Sequence, residues 1–247
     1  MPDSLNRVEY DITTGHIAVS MEDGTRFPAY WAHPSITSRF PGVLLIHDWW
    51  GLTPVVRRLA NQFASVGHYV IAPDLYDGQV ADSAADALRL LNTLGQGAYR
   101  RIDAALSALE THHQCNGDVA AVGLGLGGSL AFEAALTRTD LEAAVAYCGF
   151  PQHFLGRFAG ARAPILAFYG SDDKHIPAEM VTALRRELAG QPLPHRVVVL
   201  EGAGHSIFSD DTRPAALAHA RAAWAATLAF LDSLLHRPER PSRTAPP

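Results

Sequence analysis

Apolar blocks alternate with amphipathic stretches along almost the whole chain. Val8 to Ser20 and Arg26 to Ala32 read as two strands, joined by Met21-Glu22-Asp23-Gly24-Thr25, whose Asp-Gly step is a hairpin signal. Gly42 to Ile46 is a continuous apolar run, the pattern of a strand buried on both faces. Thr53 to Val66 predicts a helix, with Thr53 as N-cap and Pro54 at the first helical position. His68 to Ala72 predicts the next strand. Ser83 to Leu94 and Tyr99 to His112 predict two helices linked through Gly95-Gln96-Gly97. Further strands are expected at Val119 to Val122, Glu142 to Tyr147, Pro164 to Tyr169 and His195 to Leu200, with Pro151 to Ala163 a loop or short helix. Ala178 to Ala189 and Pro214 to Leu235 predict the last helices, the final one with an apolar stripe of Leu217, Trp224, Leu228, Leu231 and Leu235.

A leading hairpin followed by alternating strands and helices implies an α/β fold with a mostly parallel sheet. Sites in such sheets form beyond the carboxyl ends of the strands. Residues 1–235 are expected to make one domain, and the Pro- and Arg-rich residues 236–247 a disordered tail.

The stretch Asp118 to Leu136 organises the rest. Val119 to Val122 runs into Gly123, Gly125, Gly127 and Gly128, and an alanine-rich helical pattern starts at once. Strand, sharp turn and helix in this order form the elbow that lifts a nucleophile above the sheet in G-x-S-x-G hydrolases. Here the elbow position is Gly125, which presents no side chain. The same glycines satisfy G-x-G-x-x-G, the dinucleotide fingerprint. That reading needs an acidic residue at the end of the next strand. The chain has Tyr147-Cys148-Gly149 there, and Glu142 stands at the opposite end.

Composition narrows the function classes. A chain of 247 residues with 48% hydrophobic residues has enough apolar material for a large core. The net charge of −5 carries no basic cluster, so no nucleic-acid partner is expected. Two cysteines, Cys115 and Cys148, make no disulfide framework, and a reducing, cytoplasmic setting is the expectation. The N-terminal M-P-D-S-L-N-R-V-E-Y lacks the apolar region of a signal peptide. No apolar run reaches the roughly 18 residues of a membrane span, so no membrane association is expected.

Three strand ends carry chemistry in the order Gly125, Asp173, His205. Elbow, acid, histidine is the chain order of triads in α/β-hydrolases. With I-H-D-W-W-G-L (Ile46 to Leu52), P-D-L-Y (Pro73 to Tyr76), G-S-D-D-K-H-I-P (Gly170 to Pro177) and G-A-G-H-S-I-F (Gly202 to Phe208), the chain resembles the dienelactone hydrolase family over about Gly42 to Leu235. The resemblance implies an α/β-hydrolase fold, helices on both faces of the sheet, and chemistry on lactones or esters by cysteine, aspartate and histidine without a cofactor or metal. By position it makes Asp173 the acid, His205 the base, and the N–H groups of Leu126 and Trp49 the oxyanion donors. Asp48 falls where the family has a glutamate that contacts the nucleophile. The sequence departs from the pattern at Gly125, and at Gly78 and Ser209, where the family's carboxylate-binding arginines would stand.

Trp49, Trp50, Asp48, Tyr76 and Cys148 are expected to contact a small apolar ligand. His47 is a further candidate for the pocket wall. Ser129 is expected to point away from His205, Asp172 and His175 to be solvated, and Cys115 to be a loop residue. Three functions fit: an enzyme using an Asp173–His205 general-base dyad without a covalent nucleophile, a small-molecule-binding protein, or a covalent hydrolase using Cys148. The expected assembly is a monomer or homodimer.

Overall fold

The computed structural model describes residues 8–235, so the tail expected at 236–247 lies outside the described residues. β1 (Ile12–Ser20) and β2 (Arg26–Pro34) form the expected hairpin, with Ser20 opposite Arg26. β1 starts later than its apolar pattern because the Tyr10 N–H leaves the sheet for the Ser65 carbonyl, 2.8 Å away. β3 (Phe40–Ile46), β4 (Tyr69–Pro73), β5 (Cys115–Leu124), β6 (Ala143–Tyr147), β7 (Ile165–Gly170) and β8 (Arg196–Leu200) complete one eight-stranded sheet. The strand order is β1-β2-β4-β3-β5-β6-β7-β8. β2 is antiparallel to both β1 and β4, and every other pair is parallel.

The helices are α1 (Pro54–Ser65), α2 (Ala84–Leu94), α3 (Ala98–Glu110), α4 (Leu126–Thr137), α5 (Ala178–Leu188) and α6 (Pro214–Leu235). Parallel crossovers are right-handed. The β3–α1–β4 unit moves one way along the sheet, and β4–α3–β5 and β5–α4–β6 move the other way. They therefore place their helices on opposite faces. α6 joins α1 on its face, where the rings of Trp224 and Phe63 lie 4.6 Å apart. Every residue of β3, β4 and β6 is buried, as their unbroken apolar runs require. Each large side chain there contributes about 1.5–3 kcal/mol by leaving water, which makes the sheet a rigid platform for the loops at its carboxyl edge.

Several local expectations need correction. Thr53 precedes α1 but makes no side-chain capping bond, whereas the Ser83 hydroxyl does cap α2, accepting the Asp86 N–H at 3.2 Å. Cys115 is a fully buried strand residue, because β5 begins there, opposite Phe40. In α6, Leu228, Leu231 and Leu235 are buried as the stripe requires, but Leu217 is exposed.

The junction of β5 and α4 is tight. A Cβ on Gly123 would sit 2.0 Å from the Gly127 carbonyl oxygen, so only glycine lets the strand and the first turn of the helix approach this closely.

Candidate active site

Five strand ends converge at the carboxyl edge of the sheet. The loop after β7 carries Asp173. Its Oδ1 accepts the N–H groups of His175 and Ile176 at 2.8 and 3.2 Å, and its Oδ2 lies 2.8 Å from His205 Nδ1. The two loops are tied by further bonds: Asp172 N–H to the Ala203 carbonyl and Gly202 N–H to the Ser171 hydroxyl. The Asp173 side chain is 1% exposed. Burial alone would raise its pKa, but the hydrogen bonds from His205, His175 and Ile176 together outweigh burial and hold it below the usual carboxylate range. An ionised carboxylate only accepts hydrogen bonds. The proton of neutral His205 is therefore on Nδ1, and Nε2 carries the lone pair.

That lone pair faces the turn at Gly125. Gly125 adopts φ 49° and ψ −110°, a conformation that glycine reaches without the strain a side chain would bring. Its N–H is held by the Tyr147 carbonyl at 2.8 Å. A Cβ placed on it would lie 3.7 Å from His205 Nε2 and 3.4 Å from Asp48 Cβ, both ordinary contacts. Leu126, next in the chain, is the first residue of α4. Its N–H belongs to the helix start, where backbone donors lack intrahelical partners.

The loop after β3 forms the opposite wall. Asp48 Oδ1 accepts the Trp50 N–H at 2.9 Å, which curls the chain so that Asp48, Trp49 and Trp50 all face one cavity. Burial raises the Asp48 pKa against the lowering effects of that bond and of nearby His205. His47, by contrast, is fully buried and does not line the cavity. Its Nε2 accepts the Leu75 N–H at 3.0 Å. Nδ1 therefore carries the proton and donates it to the Asp48 carbonyl at 2.6 Å. Burial lowers the His47 pKa, in keeping with this neutral tautomer. His47 is a rivet between the ends of β3 and β4 rather than a ligand contact.

The cavity holds about 460 Å³, within the range of small-molecule sites. Asp48, Gly125, Leu126 and His205 line its floor, and Trp49, Trp50, Leu91, Phe150, Phe154 and Phe208 supply apolar walls. No lysine or arginine is among the residues lining it. Gly78 and Ser209 are exposed and lie outside it.

Two residues expected to contact a ligand, Tyr76 and Cys148, do not line the cavity. Tyr76 is buried behind the wall, its ring 5.1 Å from His47. Asp74 causes this: its carboxylate takes the N–H groups of Tyr76 and Gly78 and turns the ring inward. Burial pushes the Tyr76 hydroxyl up to about 12. Cys148 is also buried and off the cavity surface, its backbone at φ 51°. Burial, and then the Asp173 charge, push its thiol far up, so it is poorly suited to attack as a thiolate. The metal-capable atoms of Cys148, Asp173 and His205 lie within 4.8 Å of one another, with the Asp173 carboxylate bonded to His205 Nδ1.

Other residues of the site escaped the sequence reading. Ser129 does reach the cavity, and its hydroxyl accepts the Phe150 N–H at 2.9 Å, fixing the loop after β6. His175 is exposed as expected, yet its ring packs edge-on against His205 at 4.9 Å and forms part of the rim. Asp172 is solvated. Apolar side chains in the non-periodic stretch from Phe150 to Phe154 were the one available signal for that wall. Leu91 had none.

Comparison with known proteins places the chain in a family. The dienelactone hydrolase family matches residues 27–235. A carboxymethylenebutenolidase of Rhodococcus opacus is 27% identical over 241 residues, covering 90% of this chain and 94% of its own. Protein usf of Aquifex pyrophilus is 27% identical over 232 residues, covering 90% and 99%. Among solved structures, a dienelactone hydrolase-like promiscuous phosphotriesterase from metagenomic libraries is 25% identical with a TM-score of 0.77, covering 90% and 98%. With its mixed α/β architecture of the α/β-hydrolase type, the chain belongs to the dienelactone hydrolase family.

Proposed function

We propose that the protein is a cofactor-free enzyme that hydrolyses a small, uncharged lactone or ester by direct attack of water. On this reading Gly125 occupies the family's nucleophile position, and a water molecule or substrate atom fills the space where a thiol would stand. His205 Nε2 removes the proton from the attacking water, and ionised Asp173 orients the ring and stabilises the imidazolium that forms. The N–H groups of Leu126 and Trp49 would receive the charge developing on the carbonyl oxygen. One observation carries the proposal: the histidine is held by a buried carboxylate with its lone pair aimed into a cavity at the elbow. A protein that only binds a ligand has no use for an oriented base.

The test is turnover of small lactones and esters followed by mass spectrometry. Hydrolysis should occur with no pre-steady-state burst and no acyl group on the protein. Cys148→Ala should still turn over the same substrates without a burst, because the thiol does not reach the cavity. An acyl adduct on Cys148 would overturn the direct mechanism. Binding without turnover across these substrates would favour a small-molecule-binding protein.

Ligand charge gives a second expectation. Asp48 lies in the cavity, and no lysine or arginine lines the cavity with it. A carboxylate ligand would meet like charge without compensation. An ester should therefore bind about 10-fold more tightly than its matched acid above neutral pH, roughly 1.4 kcal/mol. Calorimetry showing tighter binding of the acid would contradict this.

A further inference from the structure

A second hollow adjoins the active-site cavity. It is a groove of about 270 Å³ between α1 and α6. Leu59, Leu217, Ala220 and Trp224 give it an apolar lining, with Arg58 and Arg221 beside them. The groove accounts for Leu217, the stripe residue of α6 that is 41% exposed: its side chain lines this hollow. Among the described residues, Phe208 alone lines both the groove and the cavity.

Phe208 stands three positions after His205, in the stretch 206–213 that forms neither helix nor strand. Its half-buried ring meets the Tyr147 ring edge-on, with centroids 4.9 Å apart and planes at 90°. Tyr147 is itself held on two sides. It is buried, stacked on Phe168 at 5.1 Å and bonded through its hydroxyl to Thr227 of α6. The same stretch is also tied to α1 by the Arg58–Asp210 ion pair, but both side chains are exposed and such pairs hold little. Packing against Tyr147 therefore sets the position of the Phe208 ring.

We infer that Phe208 is a specificity-determining residue, whose ring separates the cavity from the groove and limits one hydrocarbon arm of the substrate to what the cavity alone holds. The inference deepens the hydrolytic reading above and takes the same cavity as the substrate site. An apolar arm that lengthens within the cavity removes a further methylene from water at each step, a gain of up to about 4-fold in affinity. At the ring the gain stops, because further methylenes find no apolar partner. Without the ring they continue onto Leu59, Leu217 and Trp224.

The experiment measures binding of methyl n-alkyl ketones of increasing length by calorimetry. These ketones mimic an ester but carry no leaving group, so their affinity reads the cavity whether or not the protein turns over esters. In the wild type, affinity should rise with chain length and then level off. In Phe208→Ala it should keep rising past that length, so that the longest ketones bind about 10-fold or more tightly than to the wild type. Phe208→Leu, apolar but shorter, should move the limit less, and it carries the test if circular dichroism shows the alanine variant unfolded. Ala220→Trp fills the groove from α6. Added to Phe208→Ala it should cancel the gain, and alone it should leave the wild-type limit where it is. Esters bearing the same arms give a second readout: the ratio of kcat/KM for the longest to that for the shortest should rise about 10-fold or more in Phe208→Ala. A wild type with no levelling off would overturn the inference. So would a folded Phe208 variant with the wild-type limit, or a gain that survives Ala220→Trp. Ketone binding as expected with no ester hydrolysed would support the partition and sink the hydrolytic reading. Esters turned over with an unmoved ketone limit would do the reverse.

Discussion

Gly125→Cys should convert the protein into a covalent esterase. The variant is expected to show a burst with a nitrophenyl ester, an acyl group on residue 125, and turnover raised by about 10³-fold or more, part of the roughly 10⁶-fold lost when a triad is deprived of its nucleophile. Space is available, since the new Cβ would meet Asp48 Cβ at 3.4 Å and His205 Nε2 at 3.7 Å. From that position a thiol reaches the imidazole, which lowers its pKa and supplies thiolate. Serine at the same place lacks this advantage and should be slower. The backbone at φ 49° and ψ −110° strains any residue with a Cβ, so the variant should lose about 1–3 kcal/mol of stability. A domain of ordinary stability, about 5–15 kcal/mol, tolerates that loss. A folded Gly125→Cys that binds an ester analogue and shows neither burst nor turnover above the parent would mean that the surrounding groups are not a triad lacking one member.

Asp173→Asn should abolish most of the parent's own activity, by about 10⁴-fold in kcat, while leaving ligand binding within a few-fold. The reason is the tautomer. Asparagine can keep the N–H groups of His175 and Ile176 on its carbonyl oxygen, but it then turns an NH₂ toward His205 Nδ1. Nδ1 must accept, the ring proton moves to Nε2, and the lone pair that faces Gly125 is lost. Activity and binding measured side by side separate this from unfolding. The wild-type pair also has a pH signature. The folded pKa of Asp173 is below its unfolded value, so its contribution to stability is present above the unfolded carboxylate pKa and is lost as pH falls through the folded one. Asp173→Asn should therefore flatten the acid side of the stability profile. An unchanged acid limb would show that another carboxylate dominates it.

The sheet was legible because its strands are buried on both faces and read as unbroken apolar runs, as in β3 and β6. Asp48, Trp49, Trp50, Asp173 and His205 all lie in loops that follow strand ends, and the parallel sheet gathers those loops at one edge. The residues that misled are those whose direction is decided by a backbone detail invisible in the sequence. Tyr76 is turned inward by the Asp74 carboxylate, and Cys148 is carried below the cavity floor by a left-handed backbone. His47 looked like a pocket residue, yet the Leu75 N–H that fixes it comes from 28 positions away. Phe150 and Phe154 reach the cavity from a stretch without periodicity, and Ser129 holds that stretch in place.

The shape of the turn at Gly125 is set by its neighbours: the Tyr147 carbonyl holds its N–H, and the close packing of Gly123 on Gly127 fixes the angle between strand and helix. A side chain can therefore be added at position 125 without rebuilding the scaffold, at the cost of the local backbone strain. In the genetic code, two glycine codons become cysteine codons by one change in their first base, and serine codons by another. A gene that uses either of those codons at position 125 stands one nucleotide from a cysteine or a serine at the turn. A lineage that loses the thiol keeps its base, its acid and its pocket folded, and selection can act on them for other reactions.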